Sequence, residues 1–268
     1  MAADREIRLQ QRILLLLERR YTRIIRAEIR RATLAMIAQY GQTRGDPQPD
    51  EMHEANMAAI MHDMALAAIN AFGTRILDAS QPFTFDDGKS FVTAFGKSDT
   101  FETKDFADFL VRIAAEYIAA EATRGTIRKI TDTTRTQIIA QIALGNAEGW
   151  GVDKIARSMV SAIPSISRGR AALIARTETH NAANRGAFQS AQQVGIPLYK
   201  EWIRVDDDRI RSNHSKVTRE AIPMDQPFRV PRSDGGEDLM MHAGDRDGGS
   251  AENTINCRCG VGYVRPPS

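Results

Sequence analysis

The chain has 268 residues, of which 42% are hydrophobic and 26% charged, and its formal net charge is +2. This composition is ordinary for a globular protein and leaves room for one large domain or two modest ones. A charge of +2 is too small to indicate nucleic-acid binding by itself, and no run of about 18 uncharged apolar residues predicts a membrane-spanning helix. No signal-peptide cleavage pattern follows the apolar run at residues 13–17, so we expect the protein to stay in the cytoplasm where it is made.

Hydrophobic periodicity predicts a long series of helices. These cover residues 5–40, 50–77, 101–122, 126–144, 152–163 and 167–194. Pro164 is expected to end the fifth helix, and Ser167 is a favourable N-cap for the sixth.

The first predicted helix has an apolar stripe, and every basic residue between Arg5 and Arg44 is an arginine. Its arginines could form the solvated face of a packed helix, a docking surface for an acidic partner protein, or a non-specific phosphate contact with DNA. We rank these interpretations in that order, because no aromatic residues are interleaved for base stacking.

The second predicted helix is rich in methionine, which favours adaptable core packing. His53 and His62 lie on this helix and are expected at the surface or facing a partner. After it, phenylalanines and glycines between residues 80 and 100 fit either a short hairpin around Phe83 and Phe85 or a loop anchored by aromatic side chains.

Strand patterns appear only after Pro197. They cover residues 199–205, where Trp202 is expected in the core, and part of 254–264. The chain is therefore predicted to be of the α+β class, with a mainly helical amino-terminal body at residues 1–165 and a small α+β module with a short β-sheet at residues 166–268.

Several sequence blocks in the last third follow one another at specific spacing. They are Ile174–Ala187 (IARTETHNAANRGA), Lys200–Arg204 (KEWIR), Asp208–His214 (DRIRSNH), Asp225–Phe228 (DQPF) and Asn256–Cys259 (NCRC). In this order the blocks resemble the head morphogenesis family of tailed bacteriophages that is typified by the F protein of phage Mu. The similarity extends over roughly residues 125–265 and leaves the first 120 residues without a recognised motif.

The resemblance implies a minor capsid protein that associates with the portal, supports procapsid assembly and DNA packaging or delivery, and remains inside the phage head. Implied partners are the portal protein and, after it, a scaffold or major capsid protein, with non-specific DNA contact as a further option and no membrane. No catalytic residue, cofactor or enzymatic step is expected.

One departure from the family pattern lies before the Asn-Cys-Arg-Cys block. The family commonly has an aromatic residue followed by Pro-Gly-Asp, whereas this chain has His242-Ala-Gly-Asp245. Without the proline, the loop is expected to be less fixed in shape.

A polar cluster in the same region leaves two interpretations open. Its members are Arg176, Glu178, Asp208, Arg209, His214 and Asn256. The cluster could form the active site of a nuclease or a transferase, or a buried ion-pair network that holds the module together, which we favour. An open cleft indicates chemistry, whereas burial and mutual pairing indicate a scaffold.

A structural zinc site is a further hypothesis. His214, His242, Cys257 and Cys259 together offer two imidazoles and two thiolates, which suit tetrahedral Zn²⁺. The two cysteines could equally be core residues, since alternate residues of a strand point to one face.

Overall fold

The computed structural model describes residues 2–49, 51–77, 83–84, 90–91, 103–123, 125–193, 196–205 and 209–266. Five long helices are α1 (Ala2–Thr43), α2 (Glu51–Leu77), α3 (Thr103–Thr123), α4 (Thr126–Ala147) and α5 (Val152–Gln193). Short elements are β1 (Phe83–Thr84), β2 (Ser90–Phe91), β3 (Tyr199–Ile203), α6 (Ser212–Ser215), β4 (Ile222–Pro223), β5 (Phe228–Pro231), β6 (Glu237–Met240), α7 (Ala251–Thr254) and β7 (Gly260–Val264). The predicted α+β class, with a helical amino-terminal part and a small sheet near the end, is confirmed.

One predicted helix boundary is wrong. Pro164 does not end a helix, because α5 continues through it from Val152 to Gln193. A proline inside a helix removes one backbone donor and costs roughly 3 kcal/mol. Apolar side chains are buried on both sides of it, at Ile155 and Met159 before it and at Ile174 after it. Their packing holds the two halves of the helix in one element. The domain boundary near residue 165 stays a prediction.

The chain divides into two compact units. The first contains residues 1–17, 64–116 and 176–268, and the second contains residues 18–63 and 117–175. The hydrophobic core of the second unit brings together side chains from α1, α4 and α5. Its buried members are Ala32, Met36, Ile37, Tyr40, Ile138, Ile155 and Met159.

The second unit also contains a buried polar network. The carboxylate of Glu28 accepts hydrogen bonds from Arg31 and from Asn56, and it lies 2.8 Å from Nδ1 of His53. Burial by itself raises the pKa of Glu28, but Arg31, His53 and Asn56 together lower it below its ordinary value. The surface position predicted for His53 is wrong, since this side chain is fully buried, whereas His62 is exposed as predicted. Hydrophobic periodicity did not predict the burial of His53, because its hydrogen-bond partner Glu28 lies 25 residues away in the sequence.

Packing of α1 and α2 agrees with the hydrophobic pattern. Tyr21, Ile25 and Ile29 of the α1 stripe are buried, while Leu34 is 40% exposed. Arginines of α1 occupy the opposite side, and the exposed ones are Arg8, Arg12, Arg19, Arg20, Arg23 and Arg30. The buried methionines of α2 are Met57, Met61 and Met64, while Met52 is exposed. Among the described residues, no helix is both long enough and apolar enough to span a bilayer.

In the first unit, glycines allow close helix contacts. A Cβ atom on Gly186 of α5 would lie 3.0 Å from the backbone of Ile69 in α2. A Cβ atom on Gly73 of α2 would lie 2.5 Å from the side chain of Leu110 in α3 and 2.9 Å from Ser190 in α5. Small residues at these points let the three helices pack against one another.

The first unit contains an antiparallel sheet with strand order β1-β2-β7-β3-β4. Its centre is the β3–β7 pair, in which Trp202 is opposite Val261. Pairing of β1 with β2 shows that the hairpin is the correct alternative for this segment, while Phe85 lies outside the described residues. A second, two-stranded sheet of β5 and β6 was not predicted.

Candidate functional site

The carboxy-terminal half of α5 carries a row of buried polar side chains. They are Thr177, Glu178, Thr179, His180, Asn181, Asn184 and Ser190. Asparagine is a poor helix former, so its presence in this sequence predicts hydrogen bonds to a neighbouring segment. Asn184 makes one of them, because its Nδ2 donates to the carbonyl oxygen of Cys259, 3.0 Å away.

A tight turn at Asn256 brings the cysteine segment onto α5. Asn256 has a φ of 59°, a left-handed conformation that asparagine tolerates better than most residues. Its backbone N–H donates to Oγ1 of Thr177 at 2.9 Å, and its Oδ1 accepts from Nη1 of Arg176 at 2.8 Å. The turn is therefore held from both its backbone and its side chain.

A second contact joins the segment before α6 to the same region. The guanidinium of Arg211 donates to the carbonyl oxygens of Glu252, at 2.6 Å, and of Ile255. These bonds link the residue that precedes α6 to the end of α7. The short helix α6 follows directly and carries the buried His214.

These contacts place His214, Cys257 and Cys259 together. The three potential ligand atoms lie within 4.8 Å of one another, and all three residues are buried. Nδ1 of His214 is 3.3 Å from Sγ of Cys259 and 3.7 Å from Sγ of Cys257. The pKa of the Cys257 thiol is held well below its ordinary value, mainly by a hydrogen bond from Cys259 and then by His214. The pKa of Cys259 is raised by the same contact with Cys257 and by burial.

His242 does not belong to this cluster. Its ring packs against Phe188, with ring centroids 5.6 Å apart, and its Nδ1 is 3.1 Å from the carbonyl oxygen of Ala243. Burial lowers the pKa of His242, which favours the neutral ring. Of the four predicted metal ligands, the structure brings three together and places the fourth in a different environment.

A small cavity of about 100 Å³ opens beside the cluster. Arginines dominate its lining, together with the three cluster residues. The lining includes Arg176, Arg209, Arg211, His214, Asn256 and Arg258. Positive charge therefore surrounds an opening that reaches the buried histidine and cysteines.

The polar cluster singled out in the sequence is divided by the structure. Four of its members, Arg176, Arg209, His214 and Asn256, line the cavity, whereas Glu178 is buried and forms an ion pair with Arg246. Asp208 lies outside the described residues. Neither interpretation describes the whole set, since one part is mutually paired and another part faces an opening.

The loop after β6 is fixed without the family's proline. The carboxylate of Asp245 accepts the backbone N–H groups of Met241, at 2.8 Å, and of Asp247, at 3.0 Å. Gly244 adopts a φ of +75°, which glycine tolerates without strain. The expected loss of shape is therefore offset by hydrogen bonds to one carboxylate.

Comparison with known proteins shows which family this region resembles. Residues 136–262 match the family described as "Phage Mu protein F like protein". We call residues 136–262, which are similar to this family, the Mu F-like module. The resemblance noticed in the sequence blocks is thereby confirmed, and the matched range includes α6, the Asn256 turn and the His-Cys-Cys cluster.

Two curated proteins are similar to about half of this chain. One is "Minor head protein GP7" of Bacillus phage SPP1, 30% identical over 146 residues that cover 52% of this chain and 45% of the relative. The other is "NAD(+)--arginine ADP-ribosyltransferase EFV" of Enterococcus faecalis, 24% identical over 157 residues that cover 57% of this chain and 30% of the relative. The chain thus spans less than half the length of either relative. No solved structure matches the chain.

Lys200 is a site residue of the Mu F-like module whose burial the sequence did not predict. Its side chain is fully buried, and its Nζ donates to the carbonyl oxygen of Met241 at 2.8 Å. The rings of Phe188 and Phe228 lie 4.9 and 5.1 Å from the same nitrogen. Burial lowers the pKa of Lys200 from 10.5 to about 8, although Asp245 and Asp225 act in the opposite direction.

This shift predicts how stability depends on pH. Between the pKa of Lys200 in the folded protein, near 8, and its value in the unfolded chain, near 10.5, the unfolded chain binds more protons. The free energy of unfolding therefore increases with pH across this window, and this gain is lost as the pH falls back to 8. From about pH 7 to about pH 9.5, the free energy of unfolding should increase by about 2 kcal/mol more in the wild type than in Lys200→Met. Urea denaturation at several pH values measures the difference, and parallel profiles for the two proteins would contradict it.

Proposed function

We propose that this protein is a phage minor head protein that associates with the portal, supports procapsid assembly and DNA packaging or delivery, and remains inside the head. The Mu F-like match at residues 136–262, together with the similarity to the minor head protein of phage SPP1, carries the proposal. The similarity covers 45% of that relative, so portal association is part of the proposal for this chain.

The packing of the Mu F-like module supports a docking role. Its loops are held by buried carboxylates that accept several hydrogen bonds each. Asp238 accepts from the backbone and the hydroxyl of Ser250, at 2.8 and 2.6 Å, and from Asn253 at 2.8 Å. Because a rigid surface loses little conformational entropy on association, such loops suit stable assembly with a partner.

The helical part would supply additional contact surface. Arginines on the exposed side of α1 offer positive charge to an acidic surface of the portal, of a scaffold protein or of the major capsid protein. Non-specific contact with packaged DNA is the alternative use of the same face.

Co-purification with the cognate portal tests this proposal. The untagged chain is expected to elute with tagged portal protein in size-exclusion chromatography and to be detected by mass spectrometry in purified phage particles. Arg19→Glu with Arg23→Glu reverses two charges on exposed positions of α1, and Arg128→Glu with Lys129→Glu is a matched double charge reversal on exposed positions of α4, outside residues 136–262. If the α1 face contacts the portal, only the first variant weakens co-elution.

Two results would contradict parts of the proposal. Failure to bind portal, combined with normal heads formed in its absence, argues against a head protein. Portal binding with no copies in finished particles would instead indicate an assembly chaperone.

An enzyme is the second candidate function. The arginine-lined cavity beside His214, together with the similarity to an ADP-ribosyltransferase, favours a transferase or nuclease carried in the phage head. The purified chain can be incubated with NAD⁺ or with DNA, and release of nicotinamide or cleavage that is lost in Arg176→Ala would favour this candidate. We prefer the head-protein proposal because Glu178 forms an ion pair with Arg246. Glu178 is the acidic residue of the polar cluster that the structure describes, and a catalytic role would need its carboxylate.

A further inference from the structure

We infer that His214, Cys257 and Cys259 bind one Zn²⁺ ion through an imidazole nitrogen and two thiolates, with a fourth coordination position that faces the arginine-lined cavity. This inference is independent of the proposed function, since a metal ion could serve either a docking module or an enzyme. It replaces the hypothesis that included His242, whose ring lies against Phe188.

Distances between the ligand atoms fit a tetrahedral ion. With Zn–S near 2.3 Å and Zn–N near 2.05 Å, a tetrahedral angle separates sulfur from nitrogen by about 3.6 Å. The two distances from His214 Nδ1, to Cys259 Sγ and to Cys257 Sγ, are 3.3 and 3.7 Å. An ion can therefore enter with only small movements of the side chains.

The chemistry of the donors selects the metal. Two thiolates and an imidazole are soft and borderline ligands that suit Zn²⁺, whereas Mg²⁺ and Ca²⁺ prefer carboxylate and carbonyl oxygens. The charges also balance, because two thiolates neutralise a divalent cation. A neutral centre of this kind can be buried at a lower cost than an isolated charge.

Hydrogen bonds around the three residues hold the ligands in place. Arg211 ties the segment that leads into α6, and hence His214, to the end of α7. The Asn256 turn and the hydrogen bond from Asn184 to Cys259 fix the cysteine segment on α5. These contacts pre-organise three ligands, and pre-organisation raises affinity by lowering the entropy lost on binding.

The fourth position distinguishes this site from a closed structural site. Three protein ligands with one open position are typical of zinc centres that bind water or another small ligand. All three ligand residues border the cavity of about 100 Å³, which has room for water. Arg176, Arg209 and Arg258 on the same lining make an anion the expected exogenous ligand.

Metal analysis of the full chain, purified under reducing conditions without a histidine tag, tests the inference. We expect one equivalent of zinc per chain by plasma mass spectrometry. After exchange with Co²⁺, we expect thiolate-to-cobalt charge-transfer absorption and the strong visible bands of a tetrahedral site, and thiocyanate should shift these visible bands.

Matched variants locate the site. Cys257→Ser, Cys259→Ser and His214→Asn should each lose the metal or its charge-transfer intensity, whereas His242→Asn should retain both. Circular dichroism shows whether each variant is folded, and the wild-type measurement decides the question even if a variant is not.

Three outcomes would overturn the inference. They are a metal-free wild type with two free thiols, which makes the cysteines core residues; a Cys257–Cys259 disulfide; and stoichiometric metal in the Cys257→Ser/Cys259→Ser double variant. Cobalt bands that ignore thiocyanate would overturn the open fourth position. Portal binding or turnover does not enter these measurements, so their failure is separate from failure of the proposed function.

Discussion

Arg246→Met is expected to destabilise the first unit by about 3–5 kcal/mol, because it leaves a buried carboxylate without its guanidinium. The side chain of Glu178 is 4% exposed and that of Arg246 is 14% exposed. Arg246 Nε also lies 3.0 Å from the amide oxygen of Asn181, in the amide orientation that satisfies both groups. Methionine preserves much of the arginine's length, so the loss of charge and hydrogen bonds dominates the effect.

The double variant Glu178→Gln/Arg246→Met separates pairing from packing. Removing both charges avoids leaving the buried carboxylate without this guanidinium, and the double variant should therefore recover much of the stability lost by Arg246→Met. A Trp150→Phe background leaves Trp202 as the sole tryptophan, so fluorescence during urea unfolding reports on the first unit. An Arg246→Met protein within about 1 kcal/mol of its parent would show that this pair does not stabilise the module.

This experiment also bears on the two interpretations of the polar cluster. A residue kept for chemistry often costs stability, so its replacement can be neutral or stabilising. A large loss on breaking the pair, with recovery in the double variant, assigns Glu178 to the scaffold. Arg176, Arg209, His214 and Asn256 would then be the members left for binding at the cavity.

Long helices and the central strands were predictable from the sequence because their signals are local. Apolar spacing identified four of the five long helices as single elements and α5 as two, and alternation placed Trp202 in the core, where it is 2% exposed. The polar stripe of α5 likewise predicted a hydrogen-bonding neighbour, found at Cys259.

Features that depend on distant partners were not predictable. Hydrophobic periodicity places Lys200 and His53 at the surface, because their hydrogen-bond partners lie 41 and 25 residues away in the sequence. For the same reason the sequence named four metal ligands but could not separate His214 from His242. Their environments differ only after the chain folds. The β5–β6 hairpin was missed because its strands are four residues long and include Asp238, whose burial depends on Ser250 and Asn253.

Gly248→Ala is expected to destabilise the first unit by about 3 kcal/mol or more, because overpacking against backbone cannot be relieved by a side-chain rotation. A Cβ atom at this position would lie 1.8 Å from the carbonyl oxygen of Leu239 and 2.8 Å from its carbonyl carbon. Leu239 belongs to β6, whose partner is β5, so a shift that makes room also disturbs the strand pair.

Gly260→Ala is the matched control in the same module. Among the described residues, its added Cβ atom would contact Oδ1 of Asn184, at an ordinary van der Waals distance of 3.7 Å. Glycine weakens a strand because it has no side chain to pack, so alanine at the first residue of β7 should not destabilise it. We expect this variant to lie within about 0.5 kcal/mol of its parent in the same fluorescence assay. Equal stability of the two variants would mean that the loop carrying Gly248 can move away from β6. The hydrogen bonds of Asp245 would then not hold this loop in place, and the inference that the docking surface is rigid would be wrong.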